Sequence, residues 1–93
     1  MNLKAYKSRV AGMGCIMVEA GFGFECAGRV ELHHPREGVG AAQRESDWCV
    51  IPLCTEHHLG ALGVHNRRSF YGRTKLNEWD LIALVIELNW RMS

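Results

Sequence analysis

The chain carries two adjacent histidines, His33 and His34, at the end of a strand-like run and directly before Pro35. Adjacent residues of a strand point to opposite faces, so the pair places one imidazole on each face of the strand. Neutral imidazole is a good ligand for zinc and other divalent transition metals. One histidine of the pair could therefore bind a metal ion while its neighbour holds a water molecule.

The remaining histidines follow within one stretch of the sequence, at His57, His58 and His65. We expect a hairpin followed by a helix, with the end of the first strand close to the start of that helix. This arrangement would let His33 or His34 meet His58 and His65 around one metal ion. His57 has a plainer explanation as well, because a lone histidine is usually structural.

Four cysteines also offer metal ligands: Cys15, Cys26, Cys49 and Cys54. The first ten residues are basic and polar, without the apolar segment of a secretory signal. The longest apolar run, 81–86, is too short to span a bilayer. We therefore expect a soluble cytoplasmic protein, in which cysteines bind metals more often than they form disulfides.

Composition indicates a single globular domain over 1–93, since 47% of the residues are hydrophobic and 23% are charged. The net charge is only +1, but the basic residues are unevenly placed. No acidic residue lies between His57 and Asn77, and another acid-free stretch covers the first 18 residues. These stretches favour a local anionic partner, although a solvated charged face explains them equally well. Their basic residues are Arg67, Arg68, Arg73, Lys75, Lys4, Lys7 and Arg9.

The hydrophobic pattern predicts a small α+β fold. A helix or turn carrying His57 and His58 is expected after Cys54, and the segment 12–28 is irregular and rich in glycine. The other predicted elements are a helix over 3–11, a strand over 29–33, a polar loop over 35–47 and a strand over 48–53.

A last helix is predicted over 78–91. Asn77 is a suitable N-cap, Asp80 stands at the position of a capping-box partner, and Leu76 and Leu81 have the spacing of a hydrophobic staple. The helix is apolar on most of its circumference, which indicates burial against the sheet or against another subunit. A homodimer through this helix is one arrangement that would bury it.

The motifs HHP, PLCxxHH and GVH, in that order, resemble the HNH endonuclease superfamily with its ββα-metal fold. The similarity is strongest to the phage and prophage branch of Ref-like recombination-enhancement nucleases, and it runs from about Arg9 to the C-terminal helix. It implies one HNH-type nuclease domain, with a ββα-metal core flanked by N-terminal and C-terminal helices. It also implies hydrolysis of DNA phosphodiesters in a bacterial host, with a histidine base and one divalent metal ion.

The resemblance assigns His34 as the general base and His33 as the metal ligand beside it. His58 and His65 would complete the metal site, with His65 on a bent or second helical segment. Asp47 is the nearest candidate to orient the base or to pin the loop. Three imidazoles suit Zn²⁺, Mn²⁺, Co²⁺ or Ni²⁺ better than Mg²⁺, but superfamily members can work with Mg²⁺, so the metal stays open.

Relatives also carry a structural zinc bound by two pairs of ligands. Cys54 and His57 keep the CxxH pair and Cys15 keeps one further position, but Val18 stands where another cysteine is expected. Without a fourth ligand the cysteines would be small buried hydrophobic side chains. Two residues could supply that ligand, Cys26 and Cys49.

The nuclease resemblance gives the basic residues after His65 the role of neutralising DNA phosphates. Two other function classes stay open: a non-catalytic zinc module that binds DNA or protein, and an interaction protein that dimerises and keeps a relic site. Ref-like enzymes act with recombinase filaments, but a long basic tail ahead of the core is missing here. Recombinase dependence is therefore not transferred.

Overall fold

The computed structural model describes residues 2–36 and 46–91. Within these residues the chain is a small α+β fold of five α-helices and a two-stranded antiparallel sheet, as expected for the fold class. The elements are α1 (Leu3–Ala11), α2 (Ile16–Glu19), a 3₁₀ turn (Gly23–Glu25), β1 (Val30–His33), β2 (Ile51–Cys54), α3 (Thr55–His58), α4 (Arg67–Thr74) and α5 (Glu78–Arg91).

The two strands pair antiparallel, with Val30 opposite Cys54 and His33 opposite Ile51. The start of α3 therefore lies beside the start of β1, and the expectation that it lies beside the end of β1 is wrong. The first strand begins one residue after its predicted start, but the predicted second strand, 48–53, is wrong at both ends. The backbone N–H of Cys49 donates to the Ser46 carbonyl at 2.9 Å and closes a turn there, so pairing begins only later. Most of the predicted loop, 37–45, lies outside the described residues.

The segment predicted to be irregular contains two short ordered pieces, α2 and the 3₁₀ turn. Helices of four residues are below the length at which a hydrophobic period can be read. Gly28 ends this segment with φ +84°, and a Cβ there would meet the Thr55 hydroxyl oxygen at 2.5 Å. The absence of a side chain at Gly28 lets the start of β1 lie directly against the start of α3.

The core lies between β2 and four of the helices, α1, α2, α4 and α5. Its buried apolar side chains include Val10, Ile16, Met17, Val50, Ile51, Leu53, Val64, Phe70, Leu81, Ile82 and Val85. The prediction of an N-terminal helix over 3–11 is confirmed. None of the helices among the described residues has the length and apolar content needed to cross a membrane.

Helix α5 is capped as predicted. The Asp80 N–H donates to Asn77 Oδ1 and the Asn77 N–H donates to Asp80 Oδ2, both at 2.9 Å, which forms a reciprocal capping box. Only one face of α5 is buried, however. Trp79, Ile86 and Trp90 are 41%, 58% and 83% exposed along its outer face.

Candidate metal centres

Four side chains from separate parts of the chain converge where β2 runs into α3. Cys15 precedes α2, Cys26 follows the 3₁₀ turn, Cys54 ends β2 and His57 lies on α3. Their ligand atoms all lie within 4.8 Å of one another, and three of the four residues are buried. We call this group the cysteine–histidine cluster. It unites the CxxH pair with Cys15, and the fourth member is Cys26, whereas Cys49 is not part of it.

The spacing of the cysteine–histidine cluster fits a tetrahedral metal ion. His57 Nδ1 lies 3.6 Å from the sulfurs of Cys15 and Cys26 and 3.2 Å from that of Cys54. With Zn–S bonds of about 2.3 Å and Zn–N bonds of about 2.0 Å, tetrahedral angles place sulfur and nitrogen about 3.5 Å apart. The cluster could therefore hold a metal ion such as zinc with little rearrangement.

A carboxylate orients the histidine of this cluster. The Nε2–H of His57 donates to Glu25 Oε1 at 2.9 Å, which leaves Nδ1 to face the sulfurs. Arg73 Nη1 lies 2.6 Å from both oxygens of Glu25. The hydrogen bond from His57, together with the charge of Arg73, holds the pKa of Glu25 below its usual range. Arg73 was predicted to contact DNA phosphate, but its guanidinium is bound to Glu25 within the fold.

The thiols of the cluster differ in how readily they lose a proton. Burial raises the pKa of Cys54, but hydrogen bonds from the backbone N–H groups of His57 and Ala27 help to outweigh it and bring the pKa to about 7. Burial and the neighbouring cysteines raise the pKa of Cys26 to about 12. Cys54 is thus the sulfur closest to the thiolate form that binds metals.

A second cluster is formed by His33 at the end of β1, His58 at the end of α3, and His65. Each pair of imidazole centres is 5.0 Å apart. A metal–nitrogen bond of about 2.0 Å places a ring centre about 3.2 Å from the metal, so tetrahedral angles separate the centres by about 5.2 Å. This three-histidine cluster also has the spacing of a metal site.

His65 does not lie on a helix, contrary to expectation; it occupies the turn before α4. The turn folds back over α3, because the Val64 N–H donates to the His57 carbonyl at 2.9 Å. A Cβ at Gly63 would meet the His58 carbonyl oxygen at 2.6 Å. The close approach that glycine permits here brings His65 beside His58 without a second helical segment.

Two carboxylates orient rings of the three-histidine cluster. His58 Nδ1–H donates to Glu31 Oε1 at 2.8 Å, and His33 Nε2–H donates to Glu78 Oε2. His58 Nε2 and His33 Nδ1 are then the nitrogens left for a metal. Burial, followed by the charges of His33 and His58, lowers the pKa of His65. A lowered pKa favours neutral imidazole, the form that binds metals.

His34 lies in the same pocket as the three-histidine cluster. The pocket has a volume of about 280 Å³ and is lined by Leu32, His33, His34, Arg36, His58 and His65. The Nε2–H of His34 donates to Asp47 Oδ1 at 2.7 Å. The predicted base and its predicted orienting residue are therefore in contact, and the other nitrogen of His34, Nδ1, is left for a further partner.

Sequence reasoning missed the carboxylates around both clusters. Glu31 was detectable, because it is two residues from His33 and so on the same face of β1. The roles of Glu25 and Glu78 could not be predicted from the local sequence, because their histidine partners are 32 and 45 residues away along the chain. Val18, at the position where the resemblance led us to expect a cysteine, is exposed on α2.

We compared the chain with models of known protein families, with curated proteins and with solved structures, and none of the three comparisons found a match.

Proposed function

We propose that the chain is a metal-dependent DNA endonuclease of the HNH type. In this proposal His33, His58 and His65 hold one divalent metal ion, and His34 is the general base. The observation that carries it is the hydrogen bond between His34 and Asp47 in the pocket that the three-histidine cluster lines. A histidine of fixed orientation beside a cluster fit for a metal matches what phosphodiester hydrolysis requires.

The proposed reaction begins with orientation of the base. A carboxylate only accepts hydrogen bonds, so Asp47 keeps the proton of His34 on Nε2 and leaves a lone pair on Nδ1. Nδ1 takes a proton from water while the water oxygen bonds to phosphorus. The P–O bond to the leaving sugar oxygen breaks, and that oxygen takes a proton from solvent. The products are a phosphomonoester and a free hydroxyl.

Three protein ligands are typical of catalytic metal sites, which keep positions for water and substrate, whereas structural sites close with four. A divalent ion in the three-histidine cluster would supply positive charge to the phosphate oxygens. Arg36 also lines the pocket, and in this proposal its guanidinium binds a phosphate oxygen. Imidazole ligands suit Zn²⁺, Mn²⁺, Co²⁺ and Ni²⁺, and Mg²⁺ is included in the test below.

We also propose that DNA lies along α4. This helix begins two residues after His65, Arg67 and Arg68 are exposed on its first turn, and Lys75 is exposed directly after its end. Phosphates next to the one that is cut would be neutralised there. Arg73 is not assigned this role, because its guanidinium is bound to Glu25 and to the Leu62 carbonyl.

A second candidate is a non-catalytic zinc module that binds DNA or protein. The cysteine–histidine cluster favours it, because four protein ligands close a site in the manner of structural zinc. In the nuclease proposal the same cluster holds α3 in place, and α3 carries both His57 and His58. The two candidates therefore differ only at the three-histidine cluster.

The test is cleavage of supercoiled plasmid by protein treated with a mild chelator and then supplied with Mg²⁺, Mn²⁺, Co²⁺, Ni²⁺ or Zn²⁺. We expect at least one metal to restore cleavage, and we expect His34→Ala to remain inactive while it binds that metal normally. Circular dichroism before and after chelation checks that the helices persist. If no metal restores cleavage of plasmid, single-stranded or branched DNA, the zinc module is the better description.

A further inference from the structure

Glu78 is a buried carboxylate at the first residue of α5, with only 3% of its surface exposed. A buried carboxylate is costly unless hydrogen bonds compensate it. Oε2 accepts the Nε2–H of His33, and Oε1 accepts the backbone N–H of Arg36 at 2.8 Å. The position at the N-terminus of a 14-residue helix adds favourable electrostatics. Both oxygens therefore accept hydrogen bonds from the segment 33–36. This segment contains the predicted ligand His33, the predicted base His34 and the pocket-lining Arg36.

We propose that Glu78 is a positioning residue for the three-histidine cluster: it fixes the tautomer of His33 and ties the segment 33–36 to α5. This proposal rests on one part of the proposed function, namely that the three-histidine cluster binds a metal ion. Because a carboxylate only accepts, Glu78 requires the proton of neutral His33 to be on Nε2. The lone pair is then on Nδ1, the nitrogen available to the site shared with His58 and His65.

Glutamine at position 78 would have nearly the same shape but only one acceptor oxygen. If its oxygen accepts from Arg36, its NH₂ group faces His33 Nε2 and favours a proton on Nδ1, where the metal would bind. If its oxygen accepts from His33, its NH₂ group opposes the N–H of Arg36 and displaces the segment. Either orientation impairs the ligand geometry of His33 without removing buried volume.

Glu31 provides a matched comparison. Within residues 2–36 and 46–91, Glu31 accepts a hydrogen bond from one imidazole, through the Nδ1–H of His58, and its side chain is less buried than that of Glu78. A glutamine at position 31 can still accept that bond with its amide oxygen, so the tautomer of His58 is kept. We therefore expect Glu31→Gln to weaken metal binding much less than Glu78→Gln does.

The experiment uses the full chain with zinc retained in the cysteine–histidine cluster. Ni²⁺ binding to the three-histidine cluster is measured by calorimetry for the unsubstituted chain, Glu78→Gln, Glu31→Gln and the control Glu87→Gln, an exposed residue of the same helix. Loss of an outer carboxylate partner of this kind typically lowers metal affinity by about 10- to 100-fold. We expect that loss for Glu78→Gln and an affinity within about twofold for Glu87→Gln, as for surface changes away from the site.

The tautomer of His33 is read separately, by ¹⁵N NMR of the imidazole in the absence of Ni²⁺ and DNA. We expect the proton on Nε2 in the unsubstituted chain and a shift toward Nδ1 in Glu78→Gln. A proton on Nδ1 in the unsubstituted chain overturns the proposal even if the variant does not fold. So does Glu78→Gln with unchanged tautomer and Ni²⁺ affinity. Since neither readout involves DNA, a chain that shows both effects and cuts no DNA refutes the nuclease but not the role of Glu78.

Discussion

Replacing Cys26 by serine should remove the metal ion of the cysteine–histidine cluster and destabilise the fold. Cys26 supplies one of the four converging ligands, with its sulfur 3.6 Å from His57 Nδ1. Structural zinc contributes about 10–16 kcal/mol of binding free energy in zinc-finger peptides, or roughly 2.5–4 kcal/mol per ligand if shared evenly among four. For a domain of this size 1 kcal/mol corresponds to about 4–8 °C in Tm, so Tm should fall by at least about 10 °C.

The matched control for this prediction is Cys49→Ser. Cys49 was the competing candidate for the fourth ligand, but it lies outside the cluster. Zinc content is measured by release to a colorimetric chelator after thiol modification, and Tm is measured by circular dichroism. We expect one zinc per chain in the unsubstituted protein and in Cys49→Ser. Full zinc content in Cys26→Ser, or its loss in Cys49→Ser, would refute the ligand assignment.

Three further predictions concern the proposed nuclease and its partners. Asp47→Ala should lower the cleavage rate by about tenfold or more at unchanged metal affinity, because the tautomer of His34 is no longer fixed; an equal loss of metal affinity would show that Asp47 supports the ligands instead. Replacing both Arg67 and Arg68 by alanine should reduce the slope of log affinity for DNA against log salt by roughly one to two, and an unchanged slope would assign them to a solvated surface. If the outer face of α5 forms a homodimer, Ile86→Glu with Trp90→Glu should abolish concentration-dependent association in analytical ultracentrifugation, whereas a monomeric unsubstituted chain would rule that dimer out.

The sequence carried enough local information to predict which ligands could meet. His33 and His58 do come together, but not by the predicted route: the antiparallel register puts the start of α3 beside the start of β1, and His58 is the last residue of α3. The CxxH spacing, in contrast, is a local signal, and it brings Cys54 and His57 together where β2 runs into α3. The N-cap of α5 was readable for the same reason, because Asn77 and Asp80 interact over three residues. The roles of these residues in catalysis stay predictions.

Features that depend on distant residues could not be read in this way. The choice of Cys26 over Cys49 depends on how the chain after the 3₁₀ turn meets the junction of β2 and α3, which no local pattern encodes. The start of the second strand was misplaced because Trp48 and Cys49, the last residues of the turn at 46–49, are apolar and lead directly into Val50. The exposure of Trp79 and Trp90 also escaped prediction, since α5 is apolar around most of its circumference and the pattern alone does not show which face meets the core.

A catalytic metal ion in the three-histidine cluster is tested most directly by measuring cleavage and metal binding on the same sample. Protein with zinc in the cysteine–histidine cluster is titrated with the activating metal, and bound metal and the rate of plasmid cleavage are followed together. We expect the rate to rise in proportion to one further metal ion per chain, and we expect His58→Ala to shift both curves to higher metal concentration. Cleavage without that second ion, or a fully bound second ion with no cleavage of plasmid, single-stranded or branched DNA, would contradict the proposed function.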